Sequence, residues 1–435
     1  MNLQVSENQR FLTYEDGTPF FYLADTAWEL LHRLDREETD YYLSDRAEKG
    51  FTVIQTVILA ELQGMDAPNA EGHLPLHDND PTRPNEAYFE HVDWAVDRAN
   101  EMGLWMGLLP TWGDKWNIKG GSGPEIFTPE NARVYGEFLG RRYRAADVIW
   151  ILGGDRALET PRHWSIMREM AAGLREGDGG AGLITYHPGG DQSFVKDLPK
   201  EPWLDFTMIQ SSHVYLDEAL ANYRRIAGLY DNEPTKPCMD GEPCYEDIPV
   251  MTPEWKQYHN FWFDDYHARR AAYWSLFSGA FGHTYGAHPV WQMWTPAHEG
   301  HTRVRRPWYE GIELPGSTQM GYVRQLMESR PFLTRIPDQG LISKQVDYVT
   351  GHIVATRDEA GTYAFIYTAN GEPIELDLGA MGGERYLATW YDPRTGKSRA
   401  KVEFDRHHPP IFYPPQGGPD WVLIVDDVGA GYPRP

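Results

Sequence analysis

Residues 148–156 read VIWILGGDR, a short apolar run rich in β-formers that ends in Gly-Gly-Asp-Arg. Runs of this kind recur along the first 290 residues. The eight runs occupy residues 20–24, 52–59, 104–110, 148–152, 183–186, 206–210, 237–240 and 280–285. Longer segments separate them, and each leaves room for the crossover helix that parallel strands require. The sequence therefore predicts alternating strands and helices around a parallel sheet.

Helical patterns fill the intervals between the runs. Residues 86–103 place apolar side chains near one stripe, and Gly103 ends the pattern. Thr128 and Pro129 are suited to cap and begin another helix, and a third pattern spans residues 267–280. A doubly wound open sheet is the competing fold. We disfavour it because no Gly-rich phosphate loop follows the first run, and eight β/α units close into a (β/α)8 TIM barrel.

The pattern changes after about residue 335. Short strands separated by turn residues replace the helical periodicity, as in TYAFIYTA and DWVLIVDD, and WYDPRTGK (390–397) indicates a turn. This pattern predicts a small antiparallel β-sandwich. We therefore expect a catalytic barrel over residues 1–337 and a sandwich over residues 338–435.

The composition excludes several partners. A net charge of −24 argues against nucleic acid and anionic membranes, and no run of 18 apolar residues is present to span a membrane. The first residues lack the features of a signal peptide, so we expect a cytoplasmic protein unless an export signal has been removed. Two cysteines are too few for a disulfide scaffold. The sequence gives no indication of the oligomeric state.

The residues that follow the runs are the candidate site, because barrel active sites lie at the carboxyl ends of the strands. Glu61, Trp116, Arg156, Ser211, His288 and Trp294 belong to this set. The predicted substrate-binding residues are Asp25, Trp28, Trp112, Asp114, His187, His213, His283, Tyr285 and Trp291. Carboxylates, histidines and tryptophans favour a carbohydrate over a phosphate ligand, although each tryptophan could equally pack the barrel rim. We expect no metal and no cofactor, since no His/carboxylate spacing typical of a metal site occurs.

Asp155 and Glu242 are the candidate catalytic pair. Glycoside hydrolysis requires one carboxylic acid to protonate the leaving oxygen and one carboxylate to act as nucleophile or base. Asp155 could instead cap the next helix, and Glu242 could form a rim salt bridge with Arg269 or Arg156.

Two neighbouring carboxylates compete with Glu242. Asp240 and Glu246 lie in the same segment, and strand parity puts Asp240 on the same side as Glu242, which is nearer the open end. A cysteine nucleophile at Cys244 would need a metal-bound thiolate with further cysteines nearby, so we expect a buried thiol.

Four ordered segments carry a family resemblance: FLTYEDGTPFFYLADTAWELLHRL, VIWILGGDR, CMDGEPCYE and FSGAFGHTYGAHPVWQ. They resemble the apiosidase-like proteins of glycoside hydrolase family 140, over about residues 5 to 335. The rest of the chain resembles the collagen-binding-like domain that often follows that barrel. Gly154-Asp155 agrees with this family and departs from the Asn-Glu pair of the wider clan.

The resemblance implies a retaining β-apiosidase with Asp155 as acid/base and Glu242 as nucleophile. The implied substrate is a terminal β-D-apiofuranosyl group on a plant glycoside or pectin side chain. Two alternatives stay open: a retaining β-glycosidase for an arabinofuranoside or a pyranoside, and a non-catalytic glycan-binding protein.

Overall fold

The computed structural model describes residues 2–190, 195–211, 213–214 and 221–435. Up to residue 285, the strands are β1 (Leu3–Val5), β2 (Leu12–Tyr14), β3 (Pro19–Phe20), β4 (Leu23–Thr26), β5 (Val53–Val57), β6 (Trp105–Leu109), β7 (Val148–Gly153), β8 (Leu183–His187), β9 (Thr207–Gln210), β10 (Cys238–Glu242), β11 (Pro249–Met251), β12 (Gln257–Trp262) and β13 (His283–Tyr285). The first three form a small antiparallel sheet, and β11 pairs with β12 as a hairpin.

The remaining eight strands form the barrel. Their order is β8-β7-β6-β5-β4-β13-β10-β9, and every hydrogen-bonded pair is parallel. The ends of the sheet meet where Asp205 N donates to Ile184 O (2.8 Å) and Thr185 Oγ1 donates to Phe206 O (2.6 Å). Each predicted run contributes one of these strands, so the (β/α)8 prediction is confirmed.

Helices surround the barrel and begin where the sequence provides caps. They are α1 (Leu30–Arg33), α2 (Arg36–Glu48), α3 (Glu86–Glu101), α4 (Pro129–Arg142), α5 (Pro161–Asp178), α6 (Asn222–Tyr230), α7 (Asp265–Phe277), α8 (His288–Trp291), α9 (Trp308–Gly311) and α10 (Pro315–Glu328). The Thr128 side chain accepts from Asn131 N at the start of α4, as predicted, and Asp264 caps α7 in the same way.

The C-terminal residues form a separate antiparallel sheet, which confirms the predicted all-β unit. Its strands are β14 (Arg335–Pro337), β15 (Ile353–Asp358), β16 (Tyr363–Thr368), β17 (Arg385–Asp392), β18 (Lys397–Asp405) and β19 (Trp421–Asp427), in the order β14-β15-β16-β19-β17-β18. One face packs against irregular segments joined by the bridges Ile342–Leu376 and Ile374–Phe412. Because β14 pairs with β15, the sheet begins at Arg335; the domain boundary at residue 337 stays a prediction.

The other face of this sheet packs on helix α7 of the barrel. Tyr273 stacks on Tyr367 with ring centroids 4.8 Å apart. Beside them, Arg269 donates from Nε and Nη2 to the Asp420 carboxylate at 2.9 and 3.0 Å, and both side chains are buried. Without Asp420, Arg269 would keep only Asp265 and Gln319 as side-chain partners on the barrel side, so the Arg269–Asp420 pair helps to hold the sheet against the barrel.

Candidate active site

A cavity of about 110 Å³ opens at the carboxyl ends of the barrel strands. Three carboxyl side chains line it: Glu61, Asp155 and Glu242. Trp28, Trp112 and Trp291 form its buried aromatic walls, and Trp255 is an exposed side chain at its edge. The residues that line the cavity lie between positions 28 and 302. The site therefore belongs to the barrel, and the C-terminal sheet contributes no lining residue among the described ones.

Glu242 ends strand β10 and is held between two histidines. His213 Nε2 lies 3.0 Å from Glu242 Oε1, and His187 Nε2 lies 2.9 Å from Oε2. The Tyr245 backbone N–H donates to His213 Nδ1 (3.4 Å), so the proton of a neutral His213 is on Nε2 and points at the carboxylate. Burial alone would raise the pKa of Glu242, but the contacts with the two histidines outweigh it and hold that pKa well below the ordinary range. Glu242 is thus an ionised carboxylate.

Asp155 reaches the cavity through an unusual turn after β7. Gly153, Gly154 and Asp155 have φ values of 101°, 80° and 61°, a conformation that glycine adopts readily. A Cβ on Gly154 would lie 2.6 Å from the backbone nitrogen of Gly113, and one on Gly153 would lie 2.3 Å from the carbonyl oxygen of His187. The two glycines therefore let the turn backbone pass so close to neighbouring backbone that no residue with a Cβ would fit at either position.

The acid–base character of Asp155 is opposite to that of Glu242. Burial, with the negative charge of Glu242, raises the pKa of Asp155 to about 6, although His187, Arg156 and a hydrogen bond with Gln210 act in the other direction. Two carboxyl groups in one cavity with pKa values pushed apart can serve as a proton donor and a charged nucleophile.

Glu61 is the third carboxyl of the cavity. Burial, with the nearby charges of Asp155, Glu29 and Asp114, raises the pKa of Glu61 to about 8. The raised pKa favours the uncharged form of the Glu61 side chain, which can both donate and accept hydrogen bonds. The sequence marks Glu61 only as a residue that follows the second strand; its proximity to Asp155 depends on the fold.

The structure brings most of the predicted site residues together. The cavity is lined by four of the predicted substrate-binding residues: Trp28, Trp112, His213 and Trp291. His187 does not line it but contacts the carboxylate of Glu242. Sequence reasoning missed Gln210, Tyr245 and Trp255. Gln210 could have been found as the last residue of the sixth run, whereas Tyr245 and Trp255 lie further along the segment after the seventh.

Asp25 lies away from the cavity, which corrects its prediction as a substrate-binding residue. It is fully buried, 2.7 Å from Arg46 Nε, and it accepts a hydrogen bond from the Tyr42 hydroxyl at 2.6 Å. Arg46 and Tyr42 belong to helix α2, so Asp25 faces the helical layer. Successive side chains of a strand point to opposite faces, and Asp25 occupies the outward position.

Tyr285, His283 and Asp114 are also absent from the cavity lining. The Tyr285 hydroxyl donates to Glu246 Oε2 at 2.6 Å. His283 is buried on the same side of β13 as Tyr285, and burial lowers its pKa to about 3. Asp114 is buried and accepts from Lys115 Nζ (2.7 Å), as well as from the backbone of residue 123. None of these three side chains lines the cavity.

Contacts in the structure disfavour three of the alternatives considered for the catalytic pair. Thr160, not Asp155, caps helix α5, and Arg269 is engaged by Asp420 instead of Glu242. Asp240 accepts a hydrogen bond from Asn222 of α6 at 3.0 Å, so it faces the helices. The parity expectation for Asp240 was wrong, because the register of β10 against β9 shifts between Asp240 and Glu242.

Metal-ligating clusters, cysteines and long apolar helices are three further features of the described residues. No group of three or more His, Cys, Asp or Glu side chains there is arranged to hold a metal ion. Burial raises the pKa of both Cys238 and Cys244 to about 12, which disfavours the thiolate. None of the described helices has the length and apolar character needed to cross a membrane.

Comparison with known proteins found matching family models and similar solved structures. A family model described as the apiosidase-like catalytic domain matches residues 6–334, and one described as a collagen-binding domain of a collagenase matches residues 336–426. A solved structure described as a glycoside hydrolase is 32% identical, with 98% of this chain and 97% of that chain covered and a TM-score of 0.88. A glycoside hydrolase family 5 structure from Bacteroides vulgatus is 30% identical, with coverages of 98% and 93% and a TM-score of 0.89. A search of curated proteins found no match.

Proposed function

The chain belongs to the apiosidase-like family of glycoside hydrolases, and we propose that it is a retaining β-apiosidase. Its substrate is a terminal β-D-apiofuranosyl group on a plant glycoside or a pectin side chain. The observation that carries the chemistry is the pairing of an ionised Glu242, held by two histidines, with an Asp155 whose pKa is raised.

The reaction proceeds in two displacements. Glu242 attacks the anomeric carbon while Asp155 transfers its proton to the departing glycosidic oxygen, so the leaving group departs as a neutral alcohol. Asp155, now a carboxylate, removes a proton from an incoming water, and the resulting oxygen displaces Glu242 from the anomeric carbon. The sugar is released with its configuration retained, and both carboxyl groups return to their starting protonation states.

The environment of the two groups supports the proposed roles. A nucleophile must be charged, and the two histidines stabilise the negative charge of Glu242. A general acid must hold its proton near the working pH, and burial beside Glu242 gives Asp155 that property. The reverse assignment would require Glu242 to take up a proton against both histidine contacts.

The size of the cavity favours a single sugar. Its volume of about 110 Å³ leaves room for only a few water molecules, so it suits a small ligand such as one sugar residue. Trp28, Trp112 and Trp291 give the cavity apolar walls on which a sugar ring can pack. Such a space suits removal of a terminal residue better than cleavage within a long chain.

A panel of chromogenic glycosides tests the substrate. We expect release of apiose from an aryl β-D-apiofuranoside, with little turnover of arabinofuranosides and pyranosides. A preference for one of those other sugars would replace the apiosidase assignment with another β-glycosidase. Binding of apiosides without turnover would indicate a non-catalytic glycan-binding protein.

Two variants test the mechanism. Glu242→Gln should abolish turnover with a Tm close to that of the wild type, and Asp155→Asn should impair substrates with poor leaving groups most. Glu48→Gln, at an exposed position on α2, is the control for loss of a carboxylate. Substantial activity in Glu242→Gln, or an equal loss on all leaving groups in Asp155→Asn, would contradict the assigned roles.

A further inference from the structure

The hairpin β11–β12 carries an exposed tryptophan at the mouth of the cavity. Its turn places Trp255 so that the side chain lines the cavity, although 62% of the residue surface is exposed. We propose that Trp255 stacks on a ring of the leaving group and forms a binding subsite outside the sugar pocket. This inference rests on the proposed function, because it takes Asp155 to protonate that leaving group.

Exposure separates Trp255 from the other tryptophans of the cavity. Trp28, Trp112 and Trp291 are 2%, 3% and 7% exposed, so they form the inner walls. Trp255 keeps most of its surface in contact with water. In a pocket that takes one terminal sugar, only the leaving group extends through the mouth, and Trp255 is placed to meet it there.

The backbone of the turn holds Trp255 in an uncommon conformation. Its φ is +55°, in the left-handed region that bulky residues seldom adopt. Trp255 N donates to Thr252 O (2.9 Å), and Thr252 N donates to Lys256 O (2.7 Å). Backbone conformations of this kind occur preferentially at ligand-binding sites. The turn therefore presents the indole outward while its own hydrogen bonds are satisfied.

The base of the hairpin is fixed to the neighbouring loop. The Arg305 guanidinium lies 4.0 Å from the ring centroid of Trp262, and Arg303 donates to the side chain of Gln257. Arg305 and Arg306 both donate to Asp247, which lies between Glu242 and the hairpin in the chain. These contacts hold the turn over the cavity instead of leaving it free to swing away.

The chemistry of an exposed indole selects the ligand class. The face of the ring is apolar and carries the negative end of the aromatic quadrupole, so it packs well on another planar ring or on the C–H face of a sugar. Because Trp255 borders the cavity, a ring bound against its indole would cover apolar surface that is otherwise in contact with water. The leaving group recognised by Trp255 therefore carries a ring, either a phenolic ring or a second sugar.

Steady-state kinetics of Trp255→Ala test this subsite on three glycosides of the same sugar: an aryl glycoside, a disaccharide and the methyl glycoside. We expect kcat/KM to fall about 10-fold or more for one or both ring-bearing substrates, mainly through KM, and to change less than about 2-fold for the methyl glycoside. Trp255→Phe should recover part of the loss. The affected substrate tells whether the ring is phenolic or a sugar.

Phe261→Ala is the matched control. Phe261 is an aromatic residue of the same hairpin with 59% of its surface exposed, but it does not line the cavity. This variant should leave all three substrates within about 2-fold of the wild type. An equal loss for the methyl glycoside in Trp255→Ala, or an equal effect of Phe261→Ala, would overturn the subsite.

Failure of the apiosidase assignment is recognised separately. If wild type cleaves another sugar, the comparison uses the aryl, disaccharide and methyl glycosides of that sugar, and the ratio between them still tests Trp255. If none is cleaved, calorimetric binding of the aryl and methyl apiofuranosides replaces turnover. Equal affinities of wild type and Trp255→Ala for the aryl compound would then refute the inference.

Discussion

Replacing Glu61 by Gln should make the folded protein less sensitive to alkaline pH. Burial, with the charge of Asp155, raises the pKa of Glu61 from its ordinary 4.5 to about 8. A carboxyl group with a raised pKa in the folded state binds its proton more tightly there than in the unfolded chain. The contribution of Glu61 to stability is therefore most favourable below about pH 4.5 and is lost as the pH rises towards 8, where Glu61 is forced to ionise.

The pKa values set the size of this effect. The difference between 4.5 and about 8 is about 3.5 pH units, and each unit corresponds to about 1.4 kcal/mol, so the upper limit is about 5 kcal/mol. The side chain is only partly buried, and water at the cavity mouth screens its charge. We therefore expect about 1–2 kcal/mol. Glutamine resembles the neutral acid in shape and cannot ionise, so it removes this cost.

Urea unfolding at pH 4 and pH 9 measures the prediction. At pH 4 the wild type and Glu61→Gln should have similar free energies of unfolding, because Glu61 is mostly protonated in both the folded and the unfolded chain. At pH 9 the variant should be more stable by about 1–2 kcal/mol. Glu48→Gln, at an exposed site, should show no such change with pH. If the difference between Glu61→Gln and the wild type is the same at both pH values, the raised pKa of Glu61 is refuted.

Three further perturbations follow from the same structure. Because the pKa of Asp155 is raised to about 6, this acid loses its proton above that pH, and kcat/KM should decline. A pH–rate profile measures this decline. Gly154→Ala should lower kcat/KM about 100-fold with little loss of helical circular dichroism, because the added Cβ would meet backbone at 2.6 Å and displace Asp155. Asp420→Ala should reduce the free energy of unfolding by about 3 kcal/mol, since it leaves Arg269 buried without this partner, while activity at 25 °C stays near that of the wild type.

Each of these has a result that would count against it. A flat pH–rate profile between pH 5 and 9 for a substrate with a poor leaving group would remove Asp155 as the acid. Gly180→Ala is the control for Gly154→Ala, because Gly180 also has a positive φ (82°) but its added Cβ meets nothing within 4 Å. Equal losses of activity in the two glycine variants would show that strain alone is responsible. An unchanged unfolding curve for Asp420→Ala would mean that the ion pair does not fix the sheet to the barrel.

The barrel could be predicted from the apolar runs because each strand depends on residues that are adjacent in the sequence. A buried parallel strand needs a continuous apolar segment, and its crossover helix needs sufficient length and capping residues. Both features can be recognised in the sequence. The turn before Asp155 could also be recognised in the sequence, because the two glycines that let its backbone pass close to neighbouring segments directly precede Asp155. Glu242 could likewise be found from its place at the end of the seventh run.

Other site residues could not be assigned from the sequence. Asp25 and Trp28 both follow the first run, yet Asp25 faces Arg46 in the helical layer and Trp28 lines the cavity. Asp240 and Glu242 share a parity along the chain, but an irregularity in β10 turns them to different sides. The direction of each side chain depends on register with the neighbouring strand, and the sequence of one strand does not specify that register.

By itself the sequence determined the eight β/α units, the antiparallel sheet that follows them, and the positions of Asp155 and Glu242 at strand ends. Only the tertiary structure decided what surrounds those two groups. His187 and His213, which contact Glu242, come from different strand ends, and Glu61 follows a further strand. The turn of the β11–β12 hairpin places Trp255 at the mouth of the cavity. Strands and caps depend on residues close in sequence, whereas pKa values and substrate contacts depend on groups that approach only when the barrel closes.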